Sequence, residues 1–508
     1  MSAKVSQFGD SRPDRAISRR EMLKWLGLTG SAAALGGLAG CAPVAAPAPA
    51  APAQPTSAPA AAPAAPAAPA AAKGPEAIFD FIAEAAKPYK GTQVNYLAVN
   101  TAQTKDVEPY QKEFEELTGI KVTAEYGGEN EVLTKIDLEL ASGGAAYDVM
   151  HCHSQTMARY VAGDWMAPLN GFMDDEKLTN KALFMPEDFY ASTISQLSTG
   201  GKLWAVPLFI ATQIMYYRKD IFEQNGITQL PDTFEDFWKV CEAIDGKPVK
   251  AFGTRGNRGP TMNVWNWTAW LYGFGGEYFK SYDPSSPDYL VPILDQPEAA
   301  EAADFYAQVV QKFCPEGSVN WGWQESSRAF KQKQIAMIQE GSPFGAQFMD
   351  PGQSEVADEN LIGCFLIPKG KGGRSAPAAA QGWMIPKGSK NKEAAWLWIT
   401  WATAPARQYR STIEQPNAMI PRQSVWALDA YKEKYGWGNY IETVNGAFEA
   451  AGDWSHYLPD MIPEYTSIGN EVSMYLQQVI GGQKAADAAM KEANDAVYKI
   501  VKEAGYVK

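Results

Sequence analysis

Strand-like and helix-like patterns alternate along the chain from residue 94 onward, and this alternation restricts the fold more than any other feature of the sequence. Residues 94–99, 120–126 and 147–151 are apolar runs or alternate apolar with polar side chains, as strands do. Between them, residues 107–117 and 130–140 repeat apolar side chains at helical spacing, and Gly119 is placed to end the first of these helices. A β-α-β-α-β order predicts a parallel sheet with right-handed crossovers, and therefore an α/β fold.

The later part of the chain continues these patterns. Residues 201–207 and 214–218 predict two short strands. Thr233 stands where an N-cap would open a helix, with Asp236 in the reciprocal position. Residues 485–506 predict an amphipathic helix, and the chain from about residue 74 to residue 508 is long enough for two domains.

The first forty residues have the features of an export signal. Ser18–Lys24 contains the Arg pair of a twin-arginine signature, with Met22 where Phe is commoner. Residues 25–38 form an apolar stretch that is shorter than the roughly 20 residues of a membrane-spanning helix. Leu38-Ala39-Gly40-Cys41 matches the cleavage site of a lipoprotein signal peptidase. We predict that residues 1–40 are removed and that Cys41 carries the lipid, because two acyl chains give a stable membrane anchor.

Residues 41–73 consist almost entirely of Ala and Pro after the cysteine. Such a segment has no large apolar side chains to bury and cannot form a core. We predict a disordered stalk between the membrane and the folded body. The protein is thus expected to lie outside the cell, anchored to the outer face of the cytoplasmic membrane.

The charge of the chain argues against two classes of partner. The full chain carries −13, and residues 1–40 contain six Lys or Arg and three acidic residues, so residues 41–508 carry −16. Nucleic acids and anionic lipid surfaces both attract basic patches, so neither is predicted as a direct partner. Membrane attachment is predicted through the lipid alone.

Four further cysteines lie in the predicted folded part: Cys152, Cys241, Cys314 and Cys364. They show no CxxC spacing. Disulfides are possible in an exported protein, but isolated buried thiols fit the sequence equally well.

Five stretches of the chain carry motifs that stand in a characteristic order. They are residues 147–169 (YDVMHCHSQ…GDWMAPL), 201–207 (GKLWAVP), 216–222 (YYRKDIF), 231–237 (PDTFEDF) and 382–390 (GWMIPKGSK). In this order they resemble motifs of the family 1 extracellular solute-binding proteins, which include the maltodextrin-binding proteins. At the first stretch the family has a strand, a ligand-lining loop and a helix that runs into G-x-[LI]-x-P-L. At the other four it has GKLYGVP, YYNKDLF, P-x-TWDEF and GGWxxxIPKGSKN, and Gln381 replaces one Gly of the last motif.

The resemblance implies a two-lobed, periplasmic-binding-protein-like fold of type II with a ligand cleft between the lobes. It also implies a monomeric capture subunit of an ABC importer, and not an enzyme. Closure of the lobes over a mono- or oligosaccharide would deliver that ligand to the transmembrane subunits of a permease. The implied segments are an N-lobe of residues 91–209 and 380–415, a C-lobe of residues 213–375 and 420–508, and hinge crossings at residues 209–213, 376–381 and 415–422.

Sugars offer apolar ring faces and hydroxyl edges, so a sugar cleft needs aromatic and hydrogen-bonding side chains. The chain has 16 Trp, of which most are expected in the core, including those of residues 396–401. The family often has an acidic residue near the first crossing, where this chain has Ala211 and Thr212, so no particular sugar is implied. The residues expected at the cleft are His153, Ser154, Gln155, Thr212, Gln213, Trp267, Trp323, Glu340, Gly341, Ser342 and Trp383.

A metal site is considered at His151-Cys152-His153. On a strand the two imidazoles point to one face and the thiol to the other, whereas zinc needs three or four converging ligands. The only other histidine is His456. No metal or other cofactor is predicted.

Two other functions are weighed against sugar capture. A glycosidase needs two carboxylates across a cleft, but with 58 acidic residues such a pair is not diagnostic, and no GxSxG, HExxH or P-loop motif occurs. A receptor of the same fold for a polyol phosphate, a polyamine or a peptide stays open. Arg255 and Arg258, in a glycine-rich stretch, would suit a phosphate, although a solvated loop explains them as well.

Overall fold

One long strand, Val206–Arg218, takes part in both halves of the sheet and so joins two α/β lobes. The computed structural model describes residues 76–451 and 462–507. The predicted signal, Cys41, the stalk and His456 lie outside these residues. The strands are β1 (Gln93–Val99), β2 (Lys121–Gly127), β3 (Val149–His153), β4 (Ser198–Thr199), β5 (Lys202–Leu203), β6 (Val206–Arg218), β7 (Lys250–Gly253), β8 (Ile335–Gly341), β9 (Ile362–Phe365) and β10 (Ala378–Met384).

Helices cover both lobes. In the first half of the chain they are α1 (Ala77–Ala85), α2 (Ala102–Lys105), α3 (Gln111–Thr118), α4 (Glu129–Ala141), α5 (Ser154–Ala162), α6 (Asn170–Asp174), α7 (Lys181–Phe184), α8 (Ala191–Gln196), α9 (Lys219–Gln224) and α10 (Phe234–Ile244). In the second half they are α11 (Asn263–Gly273), α12 (Pro297–Phe313), α13 (Trp323–Lys331), α14 (Phe344–Phe348), α15 (Lys392–Ala402), α16 (Pro405–Glu414), α17 (Gln423–Ala427), α18 (Asp429–Tyr435), α19 (Tyr440–Ala451), α20 (Tyr465–Ile480) and α21 (Ala486–Glu503).

The N-lobe sheet has the order β2-β1-β3-β10-β6. Strand β1 is parallel to β2 and β3, as the β-α-β-α-β pattern predicts, while β10 runs antiparallel to β3 and β6. In the C-lobe, β8 pairs with β6 and with β7, and β9 also pairs with β6. The predicted strand at 201–207 is divided between β5 and the first residues of β6, whereas the one at 214–218 is the second half of β6. Strand β6 is long because β10 pairs with its first half and β8 and β9 with its second.

Local helix signals in the sequence are confirmed. Gly119 ends α3 in the left-handed region with φ +72, and Thr233 caps α10 by accepting a hydrogen bond from the Asp236 amide at 3.1 Å. Helix α1 is an element that the sequence analysis did not predict. Its Ile78 and Ile82, four residues apart, are fully buried in the N-lobe core.

Each lobe is stabilised by hydrophobic packing of its own. The N-lobe sheet is covered on one face by the tryptophans of α15, as predicted, and on the other by α4 and α5. The C-lobe core gathers residues from Ile210 to Val501. The four cysteines of the folded part are buried and free, which settles the alternative between disulfides and thiols.

The described residues contain neither a candidate membrane span nor a candidate metal cluster. No helix there combines the length and apolar composition of a membrane span. No cluster of three or more His, Cys, Asp or Glu side chains there could hold a metal ion.

Candidate ligand-binding cleft

The N-lobe wall of the cleft is built where strands β1, β2 and β3 end. Parallel strands bring their carboxyl ends to one edge of the sheet, which is where open α/β sheets bind ligands. Glu129 follows β2 as the first residue of α4, and His153 is the last residue of β3. The His153 Nδ1 atom lies 3.9 Å from the Glu129 Oε1 atom, so the ends of two strands meet through their side chains.

Two buried histidines belong to this wall, and the inner one, His151, also packs on Trp383 of the N-lobe core with ring centroids 5.8 Å apart. His151 and His153 lie two residues apart on β3, and their ring centroids are 4.8 Å apart. Both are buried, and none of their four ring nitrogens has a hydrogen-bond partner within the protein. The Gln381 side chain faces His151 without reaching hydrogen-bonding geometry with it. Burial lowers the pKa of both imidazoles, and the neighbouring His153 lowers that of His151 further. Glu129 opposes the shift at His153 only in part, so both rings are neutral near pH 7.

A third group with open hydrogen-bonding capacity is Gln196, at the end of α8. Its Oε1 atom accepts from the Ala380 amide at 2.8 Å and from the Ser154 hydroxyl at 3.3 Å. Its Nε2 atom is buried and has no partner within the protein. Ser154 and Gln155 begin α5 directly after His153, and both are buried. The predicted trio of residues 153–155 therefore lies together with Gln196.

The C-lobe wall is built around a buried ion pair between Arg255 and Glu340. Arg255 follows β7 and Glu340 lies near the end of β8, so the parallel pairing of β7 and β8 brings them together. The guanidinium contacts both carboxylate oxygens, with Nε at 3.1 Å from Oε2. Glu340 also accepts from the Gly341 amide at 2.8 Å and from the Ser326 hydroxyl at 3.4 Å. Arg255 is thus not part of a solvated loop, and its charge is compensated inside the protein.

Behind this pair lies a chain of buried amide groups. Gln213 donates to the Trp265 carbonyl at 2.5 Å and accepts from Gln339 at 2.6 Å. Gln339 in turn accepts from the Trp270 indole at 2.8 Å and donates to the Asn266 carbonyl at 2.9 Å. The hydrogen-bonding groups of Gln213 are therefore occupied within the C-lobe, which corrects the expectation that they face a ligand.

Hydrogen bonds also join the two walls of the cleft to each other. The Trp323 indole, at the start of α13, donates to the Glu129 Oε2 atom at 2.8 Å. The Gln103 side chain donates to the Pro343 carbonyl at 3.4 Å. Helix α20 of the C-lobe also packs against α5 of the N-lobe. The walls are therefore in contact, and His153 and Trp323 both meet Glu129.

Two tryptophans expected at the cleft lie elsewhere. Trp383 is fully buried in the N-lobe core, with its ring centroid 5.1 Å from Trp398 and 5.7 Å from Tyr96. Trp267 is fully buried in the C-lobe core, 6.0 Å from Tyr278. Both expectations are corrected, because β10 and α11 are buried along nearly their whole length.

Three other expected residues form the strand crossing at the back of the cleft. The Thr212 carbonyl accepts from the Ser342 amide at 2.6 Å, and the Thr212 amide donates to the Ser342 hydroxyl at 3.2 Å. The Gly341 carbonyl accepts from the Tyr216 hydroxyl at 3.1 Å. These contacts tie β8 to β6 where β6 passes from one lobe to the other.

Sequence reasoning missed Glu129 and Gln196, and it considered His151 only as a metal ligand. Glu129 follows a strand of the predicted parallel sheet, and open α/β sheets bind ligands at the carboxyl ends of their strands, so this rule could have selected it. Gln196 ends a short helix and had no comparable signal in the sequence.

The profile of the bacterial extracellular solute-binding protein family matches residues 98–409, more than half of the chain. The chain belongs to this family. Its membership confirms the predicted family, and with it a binding role and not a catalytic one.

Among curated relatives of this solute-binding protein, the erythritol/L-threitol-binding protein of Mycolicibacterium smegmatis is 25% identical over 403 residues, which cover 73% of this chain and 82% of the relative. The mannitol-binding protein of Pseudomonas aeruginosa is 25% identical over 400 residues, covering 75% and 86%. A solved solute-binding protein from Agrobacterium vitis with bound D-mannitol is 24% identical, covers 82% of this chain and 100% of its own, and has a TM-score of 0.72. This likeness confirms the two-lobed fold.

Proposed function

We propose that this chain is the receptor of an ABC importer and that it captures an uncharged polyol or another small carbohydrate between its lobes. The observation that carries the proposal is the buried hydrogen-bonding capacity of His151, His153 and Gln196 in the N-lobe wall. Buried polar groups are nearly always hydrogen-bonded in folded proteins. A hydroxyl group both donates and accepts, so a row of hydroxyls matches neutral imidazoles and an amide NH₂ group.

The charges of the cleft favour a neutral ligand. Arg255, the cation that would suit a phosphate, already forms a buried pair with Glu340. Glu129, which would suit a polyamine, accepts the Trp323 indole. Two of the curated relatives are named for binding erythritol or L-threitol and mannitol, which are neutral polyols and point the same way.

Calorimetric titration with erythritol, L-threitol, D-mannitol, ribitol, maltose, spermidine and sorbitol 6-phosphate tests the ligand class. At least one of the neutral compounds is expected to bind and to raise the melting temperature by mass action. Sorbitol 6-phosphate and spermidine are expected to give no heat of binding. Binding of either charged compound without any neutral one would overturn the proposal.

We also propose that the twin-arginine signal in residues 1–40 exports the chain and that Cys41 anchors it as a lipoprotein. The Arg pair, the apolar stretch and the cysteine stand in the order that this processing requires. The monomer would then reach its permease from the Ala/Pro-rich stalk of residues 41–73, and close about the crossings at 209–213, 376–381 and 415–422. Metabolic labelling with a palmitate analogue is expected to mark the wild-type chain and not Cys41→Ala, which would be released from membranes. Equal labelling of both would refute the anchor.

A further inference from the structure

The hydrogen bond from the Trp323 indole to the Glu129 carboxylate forms a bridge between the lobes. Its position can limit which ligands fit in the cleft. Glu129 begins α4, and its side chain is only 10% exposed although it carries a carboxylate. The N-terminus of a helix of 13 residues favours a negative charge at this place. The carboxylate is therefore held at a fixed point of the N-lobe wall, where its Oε2 atom accepts the Trp323 indole at 2.8 Å.

Trp323 is equally fixed on the C-lobe side. It begins α13, and its ring packs on Phe344 with centroids 5.5 Å apart. Phe344 begins α14, two residues after Ser342 at the strand crossing. The ring also packs against the N-lobe cluster that contains Val132 and Met157. The indole thus spans the gap between the lobes and is supported on both sides.

The order of the strands shows on which side of the cleft this bridge lies. In the N-lobe, β2 is the strand farthest from β6, which passes between the lobes, and Glu129 follows β2. His153 on β3 is paired with Gln381 on β10, which is paired with Phe209 on β6. The histidine row therefore lies between the bridge and the crossing, and the floor from His153 to Phe209 spans two strand spacings, about 10 Å.

We propose that the Glu129–Trp323 bridge sets the upper size limit of the ligand, by closing the end of the cleft away from the strand crossing. The compartment that it bounds suits a short polyol or a single sugar ring, whereas a chain of three sugar rings would have to displace the indole. This inference rests on the proposed function, because it assigns a size to the carbohydrate that the cleft takes.

Calorimetric titration of the full chain with D-mannitol, erythritol and maltotriose tests the size limit. The wild type is expected to bind at least one of the two polyols and to bind maltotriose at least tenfold more weakly. Trp323→Ala is expected to reduce this discrimination by at least tenfold. Glu129→Ala, which opens the bridge from the other lobe, is expected to do the same, so the test does not depend on one variant folding.

Two control variants distinguish the loss of the bridge from a general loss of rigidity in the protein. Glu129→Gln keeps a carbonyl acceptor for the indole and is expected to retain the discrimination of the wild type. Trp321→Ala removes a tryptophan two residues earlier that packs on the C-lobe core, and is expected to leave the preference unchanged. Unchanged discrimination in both Trp323→Ala and Glu129→Ala, or tight binding of maltotriose by the wild type, would overturn the size limit alone. A wild type that binds none of the carbohydrates would overturn the proposed function and the size limit together.

Discussion

The two walls of the cleft differ in how their buried polar groups are satisfied. On the C-lobe wall, Arg255 and Glu340 satisfy each other, and the amides of Gln213 and Gln339 form a connected chain behind them. On the N-lobe wall, the rings of His151 and His153 are buried with no hydrogen-bond partner within the protein. The ion pair and the two amides of the C-lobe wall are therefore satisfied without a ligand, while the two histidines of the N-lobe wall have hydrogen-bonding capacity to offer.

Because of this difference, the polar groups of the two lobes should contribute differently to stability and to ligand affinity. A buried pair that is already complete gains little from a ligand but is costly to break. A buried group without a partner destabilises the fold until something bonds to it. Substitutions in the C-lobe wall should hence lower stability first, and substitutions in the N-lobe wall should lower affinity first.

The largest effect is expected from Glu340→Ala. It leaves the buried Arg255 charge without its partner, and breaking such a pair typically costs about 3–5 kcal/mol of unfolding free energy. Urea denaturation followed by tryptophan fluorescence measures the loss. Asp288→Ala is the matched control, because Asp288 forms an exposed pair with Lys280 at 2.9 Å. Such exposed pairs contribute about 1 kcal/mol or less. If both variants lose the same stability, the C-lobe wall is not held by its ion pair.

The opposite behaviour is expected from His153→Leu in the N-lobe wall. Leucine removes two ring nitrogens without partners at similar volume, so the unfolding free energy should change by less than about 1 kcal/mol or rise. Affinity for the bound polyol should fall by about tenfold to a hundredfold, or about 1.4–2.8 kcal/mol. Titration calorimetry and denaturation of the same sample check both values.

Thr268→Val is the control for that substitution. Thr268 is buried in the C-lobe, and its hydroxyl bonds the Val264 carbonyl at 2.7 Å and the Tyr278 hydroxyl at 2.6 Å. This variant should lose stability and keep its affinity. A His153→Leu protein that behaves like Thr268→Val would remove the distinction between the walls.

The unfolding free energy should depend on pH because of His153 in the N-lobe wall. The pKa of His153 is lowered by burial, so below the ordinary value of 6.5 the unfolded chain binds more protons than the folded one. Stability should therefore decrease as the pH falls from about 6.5 towards the lowered pKa. The loss approaches 1.4 kcal/mol per pH unit for one group. Denaturation curves at pH 7, 6 and 5 should fall less steeply for His153→Leu than for the wild type. Equal slopes would mean that the folded protein protonates this ring readily.

The sequence predicted those parts of the fold that depend on neighbours in the chain. Gly119 can end a helix with a positive φ, and Thr233 can cap one, through contacts within a few residues. The parallel order of β1, β2 and β3 followed from alternating periodicities. The resemblance to the family then indicated residues 153–155, which follow the third of these strands, as part of a cleft wall.

Contacts between distant segments could not be predicted in this way. Arg255 and Glu340 are 85 residues apart, and nothing in either local sequence indicates the other. The prediction that the Trp383 side chain faces the cleft was wrong for a related reason. Strand β10 lies in the middle of the sheet with both faces buried, so alternation of polar and apolar side chains does not reveal which face a residue takes.

The smallest effect is expected at the crossing that joins the walls, from Ser342→Ala. Ser342 was expected at the cleft, but its hydroxyl accepts from the Thr212 amide at 3.2 Å, and its carbonyl accepts from the Tyr440 hydroxyl at 2.7 Å. Alanine removes only the first of these bonds, so the unfolding free energy should fall by about 1 kcal/mol. Polyol affinity should stay within about twofold in titration calorimetry, because the hydroxyl is already occupied between β6 and β8. An affinity loss of tenfold would instead mean that Ser342 turns towards the ligand, and the C-lobe wall would then contribute a binding group of its own.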